Sequence, residues 1–351
     1  MNYPRILIHP DKYRHNVRKM QSLLGSKAIN MMVVSKVYRA VQPLIDVLGE
    51  ENIDYIADSR LQNLKTMNTK AQKVLLRIPA LSSLEETLLH SDISLNSEWK
   101  TLEKLNEKAK ELNLTHKIIL MIDIGDLREG IYYKDNLLPL IESVEDLSNI
   151  DLYGLGTNVT CYGGVLPTLA TMDKLKTVVK EVETFIKRPL TMVSGGNSSH
   201  IAYLDETGSF INNLRIGEAL VLGRETSFGH TIEDFKDDVF TLEAEIIELK
   251  EKPSYPEGKT GMNAFGKTPH YEDKGNRQRA IIALGKQDVD YRELYQTDQA
   301  IVAVGSSSDH IILDVTDSKI HYEVGDILTF KLTYASILSL MTSPYVVKHY
   351  E

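Results

Sequence analysis

A lysine stands at the end of an apolar run in the stretch "INMMVVSKVYRA", which covers positions 29 to 40. The run predicts a buried strand, and a charge at the end of such a strand is costly unless it is paired, neutralised or used chemically. An amine that is desolvated or close to other cations loses its proton more readily and becomes a nucleophile. Lys36 is therefore a candidate nucleophile, provided that the rest of the chain supplies partners.

Polar residues also follow later apolar runs of the chain. Glycine and serine among them would let backbone N–H groups approach an anion closely. The candidates are two arginines, an asparagine and a cluster of small polar residues: Arg128 in "DIGDLREG", Asn158 in "GTNVTCYGG", Ser194, Asn197, Ser198 and His200 in "SGGNSSH", and Arg215 and Gly217 in "RIGEA".

The elements that would position these residues alternate along the first 230 positions. Segments with apolar residues at helical spacing separate short apolar runs, and such alternation predicts βαβ units and a parallel sheet. Eight strands fit an α/β fold of the (β/α)8 TIM barrel type, and an open doubly wound sheet is the alternative. The predicted strands cover residues 30–36, 53–59, 73–79, 92–97, 117–125, 151–159, 189–196 and 211–219.

Barrel enzymes build their sites at the C-terminal ends of the strands, and the loops after the seventh and eighth strands often hold a phosphate. In this arrangement the stretches "SGGNSS" and "RIG" lie where a phosphate would bind, at the same mouth as Lys36. A lysine, a phosphate cradle and a polarising cation together suggest pyridoxal phosphate held as a Schiff base.

The residues after position 237 form β-like runs with few helical patterns between them. This change predicts a barrel over residues 1–236 and a separate C-terminal all-β domain over residues 237–351. The polar stretch 253–278, rich in Gly and Pro, is expected to form a long functional loop.

Composition excludes some classes of protein. The net charge of -9 argues against nonspecific nucleic-acid binding, which needs a basic surface. Cys161 is the single cysteine, so no intrachain disulfide is possible and a reducing compartment is expected. No run resembles a signal peptide or reaches bilayer length, and we therefore expect a cytoplasmic enzyme. The acidic residues of "DIGDLREG" lack a His or Cys at ligand spacing, so no metal site is predicted.

Seven motifs occur in the order in which one known family has them: "VVSKVY", "IDIGDLREGI", "GLGTNVTCYGG", "SGGNSS", "LRIGEALVLGRE", "SSSDHIILDVTD" and "YASILSLM". On these motifs the chain resembles the alanine racemase family of fold-type III pyridoxal phosphate enzymes, and within it the alanine/ornithine racemase branch. The resemblance covers nearly the whole chain. It implies a TIM barrel followed by a β domain, an amino acid substrate, and a head-to-tail homodimer with shared active sites.

The resemblance implies roles for the residues around the cofactor ring. Lys36 resembles the Schiff-base lysine, which is also one of the racemisation bases. Arg128 resembles the arginine near the phenolic oxygen, and Arg215 the arginine that faces the pyridine nitrogen. Asn158 stands where alanine racemases have a histidine stacked on the ring.

The resemblance also implies a phosphate site. Ser198, the backbone of Gly217 and Tyr334 in "KLTYASIL" resemble the phosphate ligands of the family. Asn197 resembles a neighbour of these ligands, and Ser194 is a further candidate. Ser194 and Asn197 could instead cap the following helix, since both residue types are preferred at helix N-termini. His200 is interpreted as a structural hydrogen-bonding residue, and Cys161 as a packed residue near the site.

The arginine in "RIG" bears on the type of reaction. An arginine keeps its proton essentially always, so Arg215 would donate a hydrogen bond to the ring nitrogen without protonating it. Fold-type III decarboxylases have the glutamate of an "EPG" motif at this place. Racemisation is therefore predicted. A decarboxylase, a non-catalytic pyridoxal phosphate-binding protein and a phosphate-binding barrel without the cofactor are the alternatives.

Racemisation needs two bases, one on each face of the α-carbon. In the family the second base is a tyrosine in "GYADG", and the matching stretch "LGKQDVD" has Lys286 at that place. Lys286, Asp288 and Asp309 are the candidates here. This departure favours a substrate with a longer side chain, ornithine first, while alanine, serine, lysine and arginine remain open.

Overall fold

The computed structural model describes residues 2–207, 210–263 and 265–351. They form two compact units. The barrel unit is Pro10–Asp237, and the β unit combines residues 2–9 with Asp238–Glu351. The sequence-based division at residues 236 and 237 stays a prediction of the domain organisation, and it assigns residues 2–9 to the barrel.

The strands up to residue 216 comprise one that belongs to the β unit, eight that form the barrel and one short addition. The first is β1 (Arg5–Ile8), and the addition is β7 (Ile131–Tyr132), which pairs with β6. The barrel strands are β2 (Asn30–Val34), β3 (Tyr55–Asp58), β4 (Gln72–Leu75), β5 (Ile93–Asn96), β6 (His116–Asp123), β8 (Ile150–Gly156), β9 (Met192–Ser194) and β10 (Asn213–Ile216).

These eight strands are parallel and follow the order β5-β4-β3-β2-β10-β9-β8-β6, and β5 also pairs with β6. That last pairing closes the barrel, so the (β/α)8 fold is confirmed and the open doubly wound alternative is excluded. Each of the eight barrel strands lies inside a predicted strand or extends at most one residue beyond it. Apolar side chains fill the interior: Met32, Val34, Ala57, Val74, Ile93, Leu95, Ile119, Met121 and Met192.

Helices cover the outside of the barrel because each buries one apolar stripe. In the first helix the buried positions Tyr13, Val17, Met20 and Leu24 recur at spacings of three and four residues. The helices of this unit are α1 (Pro10–Gly25), α2 (Gln42–Glu50), α3 (Leu61–Thr66), α4 (Leu84–His90), α5 (Trp99–Glu111), α6 (Leu138–Glu145), α7 (Leu169–Ile186) and α8 (Glu218–Leu222).

The β unit is built on an antiparallel sheet, with strand order β13-β16-β11-β12-β15-β14. β1 extends it, pairing antiparallel with β11 and parallel with β17. The predicted loop lies between β11 and β12, with residue 264 outside the described residues. The elements are β11 (Phe240–Pro253), β12 (Asn276–Ile282), β13 (Leu294–Gln296), β14 (Val302–Ser306), β15 (Ile311–Asp314), β16 (Ile327–Leu332), α9 (Tyr334–Thr342) and β17 (Val347–Tyr350).

Within the described residues, each helix is too short or too polar to span a lipid bilayer.

Candidate active site

Lys36 begins a tight turn at the C-terminal end of β2. The backbone ladder continues one residue past the strand, because the N–H of Ser35 donates to the carbonyl of Ala57 at 2.8 Å. A 3₁₀ helix, Lys36–Tyr38, follows, and Lys36 itself is half-buried. Tyr38 anchors the far side of the turn, since its hydroxyl lies 2.8 Å from that of buried Tyr13. The amine therefore projects from a backbone segment held on both sides.

Arg215, on β10, joins the ends of three neighbouring strands. Its Nη1 donates to Ser194 Oγ at 2.6 Å, and its Nη2 donates to the carbonyl of Thr157 at 2.6 Å and to Asn158 Oδ1 at 3.3 Å. The side chain is almost fully enclosed, with 5% of the residue exposed. Burial lowers the pKa of Arg215 to about 10, so the guanidinium stays charged at neutral pH. The site thus contains a fixed, buried positive charge.

Asn197 extends this hydrogen-bonded group. Its Nδ2 donates to Asn158 Oδ1 and to the carbonyl of Val159, both at 2.9 Å, and to Cys161 Sγ at 3.3 Å. Its Oδ1 accepts the N–H of Ser199 at 2.8 Å and so caps the 3₁₀ helix that follows. The capping interpretation of Asn197 is confirmed. Cys161 is exposed, so its expected packing was wrong.

The loops after β9 and β10 meet at small residues. Ser198 Oγ accepts long hydrogen bonds, at 3.4 Å, from the N–H groups of Gly217 and Ala219. A side chain at Gly217 would place its Cβ 3.1 Å from that of Val34, so glycine allows the close approach of β2. Backbone N–H groups and a hydroxyl therefore lie together where the sequence predicts a phosphate.

Arg128 lies in the loop after β6 and is paired with its neighbour. Its Nη2 donates to Glu129 Oε1 at 2.6 Å. Burial opposes the charge of Arg128, but the hydrogen bond and charge of Glu129 outweigh it and raise the pKa. The sequence reasoning missed Glu129, whose charge also favours the protonated form of Arg215. Glu129 follows Arg128 directly in the stretch "DIGDLREG", and this adjacency could have indicated the ion pair from the sequence.

Asp126 is a second residue that the sequence reasoning missed. It is 1% exposed, and it accepts N–H groups of Thr160, Tyr162 and Val165 at 3.0 to 3.2 Å. The carboxylate therefore fixes the loop after β8, which carries Asn158, against the loop after β6. Among the described residues, no group of three His, Cys, Asp or Glu side chains could hold a metal ion.

His200 is buried in the 3₁₀ helix that follows β9. Its Nδ1 lies 3.1 Å from the carbonyl of Gly195 and its Nε2 lies 2.9 Å from Thr207 Oγ1. Burial lowers the pKa of His200 to about 4, so the ring is neutral at neutral pH. These contacts support the structural interpretation of this histidine.

The candidate residues of the β unit have contrasting surroundings. Lys286 is exposed, its Nζ lies 4.0 Å above the ring centre of Phe265, and it forms part of the wall of a cavity of about 580 Å³. Asp288 is 5% exposed, and its Oδ1 accepts the hydroxyl of Ser343 at 2.6 Å. Asp309 is exposed and accepts the hydroxyls of Ser307 and Ser308. Tyr334, half-buried, is the first residue of α9.

The geometry therefore joins Asn158, Ser194, Asn197 and Arg215 in one hydrogen-bonded group, and Ser198 with Gly217 in another. β2, which leads to Lys36, lies beside β10, with Met32 opposite Arg215. A closed barrel with a basic, polar site at its strand ends, combined with an antiparallel β unit, defines a class of two-unit barrel enzymes.

Comparison with known proteins narrows this class. Residues 8–225 match the family described as "Alanine racemase, N-terminal domain". The chain is 44% identical to the ornithine racemase of Acetoanaerobium sticklandii, with 99% of each chain covered. It is 38% identical to the lysine racemase of Thermotoga maritima, with 100% of this chain and 99% of that protein covered. The chain belongs to the alanine racemase family.

Solved structures agree in fold. The alanine racemase of Clostridium difficile 630 superposes with a TM-score of 0.75 at 19% identity, covering 100% of this chain and 96% of that one. An alanine racemase from Bartonella henselae with covalently bound pyridoxal phosphate has a TM-score of 0.77 at 17% identity, with both chains fully covered.

Proposed function

We propose that this protein is a pyridoxal phosphate-dependent amino acid racemase that acts on ornithine or another amino acid with a longer side chain. The observation that carries the proposal is buried Arg215, bonded to Ser194, Thr157 and Asn158 beside the strand that leads to Lys36. The relatives named ornithine and lysine racemase, matched over their whole length, support both the reaction and the substrate class.

The residues at this mouth fit the cofactor. The acceptors engage both Nη atoms of Arg215, and no described residue accepts from its Nε–H. That donor can meet a pyridine nitrogen, while the loops of Ser198 and Gly217 can hold the phosphate. When bound, pyridoxal phosphate delocalises the electron pair that remains on the substrate's α-carbon. Because the guanidinium keeps its proton, Arg215 orients the ring and leaves it a moderate electron sink, which favours racemisation over decarboxylation.

The chain's own lysines move the proton. Lys36 holds the cofactor through its amine, and once released its Nζ takes or gives the α-proton on one face. Lys286 Nζ serves the opposite face. Its exposed position supports this role, whereas Asp288 is buried and already accepts the hydroxyl of Ser343. The contact of Lys286 Nζ with the Phe265 ring would orient the side chain.

We also infer a head-to-tail homodimer in which Lys286 of one copy acts at the site of the other. The resemblance to the alanine racemase family, which implies sites shared between subunits, supports this assembly. Lys36 belongs to the barrel unit and Lys286 to the β unit. Asp309, Tyr334 and Arg128 remain candidates for contacts with substrate or cofactor in that assembly.

The test compares the wild type with Lys36→Ala, and with Lys100→Ala as a control in which an exposed lysine on α5 is removed. Added pyridoxal phosphate should give the absorbance band of a lysine-bound cofactor in the wild type and the control only. L-Ornithine in D2O should exchange its α-proton and yield the D-isomer, without release of CO2, in the same two proteins. CO2 release would indicate a decarboxylase. A band without exchange on any amino acid tested would indicate a binding protein.

A further inference from the structure

Asp58 is a buried carboxylate for which neither the sequence motifs nor the proposed reaction has a use. It is the last residue of β3, next to the end of β2, and it is 0% exposed. The two strands run in register, with Val34 opposite Ala57. Asp58 therefore lies beside Ser35, the residue that immediately precedes Lys36.

Neutral donors surround this carboxylate. Ser35 Oγ donates to Oδ2 at 2.8 Å, the N–H of Arg60 donates to Oδ1 at 2.9 Å, and Asn63 Nδ2 lies 3.1 Å from both oxygens. Burial raises the pKa of Asp58, and the bonds from Ser35, Arg60 and Asn63 oppose that rise. A carboxylate that accepts several hydrogen bonds is held firmly in place, because charge-assisted hydrogen bonds are stronger than neutral ones.

Ser35 connects Asp58 to the backbone turn that carries Lys36. Its backbone carbonyl accepts the N–H groups of Tyr38 at 3.1 Å and Ala40 at 3.3 Å, while its hydroxyl donates to Asp58. The turn ends in two consecutive left-handed residues, Arg39 at φ 56° and Ala40 at φ 50°. Such conformations are unfavourable for residues that carry a Cβ atom. The surroundings must hold the turn against this local preference, and the Ser35–Asp58 bond is positioned to do so.

Asp58 also accepts hydrogen bonds from residues outside the Lys36 turn, and these bonds provide an internal control. The N–H of Arg60 and the amide of Asn63 connect the same carboxylate to the start of α3. The hydrogen bond from Ser35 connects Asp58 to the turn of Lys36, and the hydrogen bond from Asn63 does not. If Asp58 served only the packing of α3, removal of the Asn63 amide would matter at least as much as removal of the Ser35 hydroxyl.

We propose that Asp58 is a positioning residue for Lys36: through Ser35 it holds the backbone turn from which the reactive amine projects. The proposal rests on the proposed function for the role of Lys36. The step that it would assist is attachment of the cofactor: the Lys36 amine would add to the cofactor aldehyde, and the aldehyde oxygen would leave as water with the two amine protons.

The test uses the cofactor-free protein and four variants: Ser35→Ala, Asp58→Asn, both together, and Asn63→Ala. Hydrogen exchange of the amides of residues 35–40, followed by mass spectrometry, reports whether the turn is held. The rate of cofactor attachment, followed by absorbance and by borohydride trapping at Lys36, reports whether the amine is positioned. Circular dichroism confirms that each variant is folded, and the milder Ser35→Ala keeps the test open if Asp58→Asn is not.

We expect Ser35→Ala and Asp58→Asn to speed exchange in residues 35–40 and to slow attachment about tenfold, since each removes one charge-assisted hydrogen bond. The double variant should be no slower than the slower single one, because both changes break the same bond. Asn63→Ala should stay within about twofold of the wild type, because the bond from Ser35 remains.

Equal effects of Ser35→Ala and Asn63→Ala, or additive effects of Ser35→Ala and Asp58→Asn, would overturn the proposal. Unchanged exchange in residues 35–40 would also overturn it. If the wild type attaches no pyridoxal phosphate, the proposed function fails, and the exchange rates still decide whether Asp58 holds the turn.

Discussion

Lys286 and Asp288 lie two positions apart in the sequence, and the surroundings of each residue give it different chemistry. The amine of Lys286 lies above an aromatic ring at the surface of the β unit, where a proton can enter and leave. The carboxylate of Asp288 is enclosed and bonded to Ser343, so it stabilises the end of α9 and lacks access to a substrate. From the sequence alone both residues are candidate bases, because both lie in the stretch "LGKQDVD".

We expect Lys286→Met to lower racemisation by about 10²–10⁴-fold while leaving the fold intact, because it removes one of two proton-transfer groups and keeps most of the length of the side chain. In D2O one enantiomer of ornithine should still exchange its α-proton through Lys36, without appearance of the mirror image. Proton NMR and chiral chromatography measure the two rates separately.

Asp288→Asn is the matched change. It should destabilise the protein by about 1–3 kcal/mol, because the buried bond to Ser343 is weakened, and leave the balance between exchange and racemisation unaltered. Loss of racemisation with retained exchange in Asp288→Asn, together with normal racemisation in Lys286→Met, would reverse the assignment of the base.

At the scale of elements, Gly285 holds two loops of the β unit together. A Cβ at this position would lie 2.2 Å from the backbone atoms Asp309 N and Ser308 O. Directly after this glycine, the N–H of Lys286 donates to the carbonyl of Ser307 and the N–H of Gln287 donates to the carbonyl of Ser308, each at 3.0 Å. The loop of the proposed base is therefore seated directly on the backbone of "SSSDH", and only glycine allows this distance.

Gly285→Ala should separate these loops and displace Lys286. We expect a loss of about 1–3 kcal/mol in the free energy of unfolding, as for other overpacked positions, together with a larger loss of racemisation than of cofactor binding. Gly305→Ala is the control, since a Cβ on this glycine of β14 meets no atom within 4 Å. Chemical denaturation and steady-state kinetics measure both. Equal effects of the two substitutions would show that the close contact at Gly285 is unimportant.

The barrel was predictable from the sequence because short runs rich in apolar residues alternate with segments that have helical periodicity. Several predicted strands extend past the last residue that pairs with a neighbouring strand, because the residues that follow are buried at the site. β8 ends at Gly156, yet Thr157, Asn158 and Val159 remain buried because they line the mouth of the barrel. The strand β1 was not predicted, since its pairing partners, β11 and β17, begin only at Phe240 and Val347.

The site was predictable by residue type and motif but not by contact. That Arg215 matters followed from its place after an apolar run. That it bonds the Thr157 carbonyl, Ser194 and Asn158 depends on the lateral order of β10, β9 and β8, which appears only in the closed sheet. Asp58 carried no motif at all, because its importance comes from the register of β3 against β2.

At the scale of the whole molecule, the chain places its two proposed bases in different units. Lys36 belongs to the barrel unit and Lys286 to the β unit. The relatives named ornithine and lysine racemase match the chain across both units, so both are part of one shared architecture. If the sites are completed by a second copy of the chain, a lesion in one copy can be compensated by the other.

Mixing two inactive variants tests this arrangement. In a heterodimer of Lys36→Ala with Lys286→Met, one site carries both lesions and the other carries neither. Random pairing makes half of the dimers heterodimers, so the mixture should recover about a quarter of the wild-type racemase activity. The two variants, each with a different affinity tag, can be co-expressed and the heterodimer purified over both tags in turn. An isolated heterodimer as inactive as its parents would place both bases in the same copy, and failure to isolate any heterodimer would refute the dimer itself.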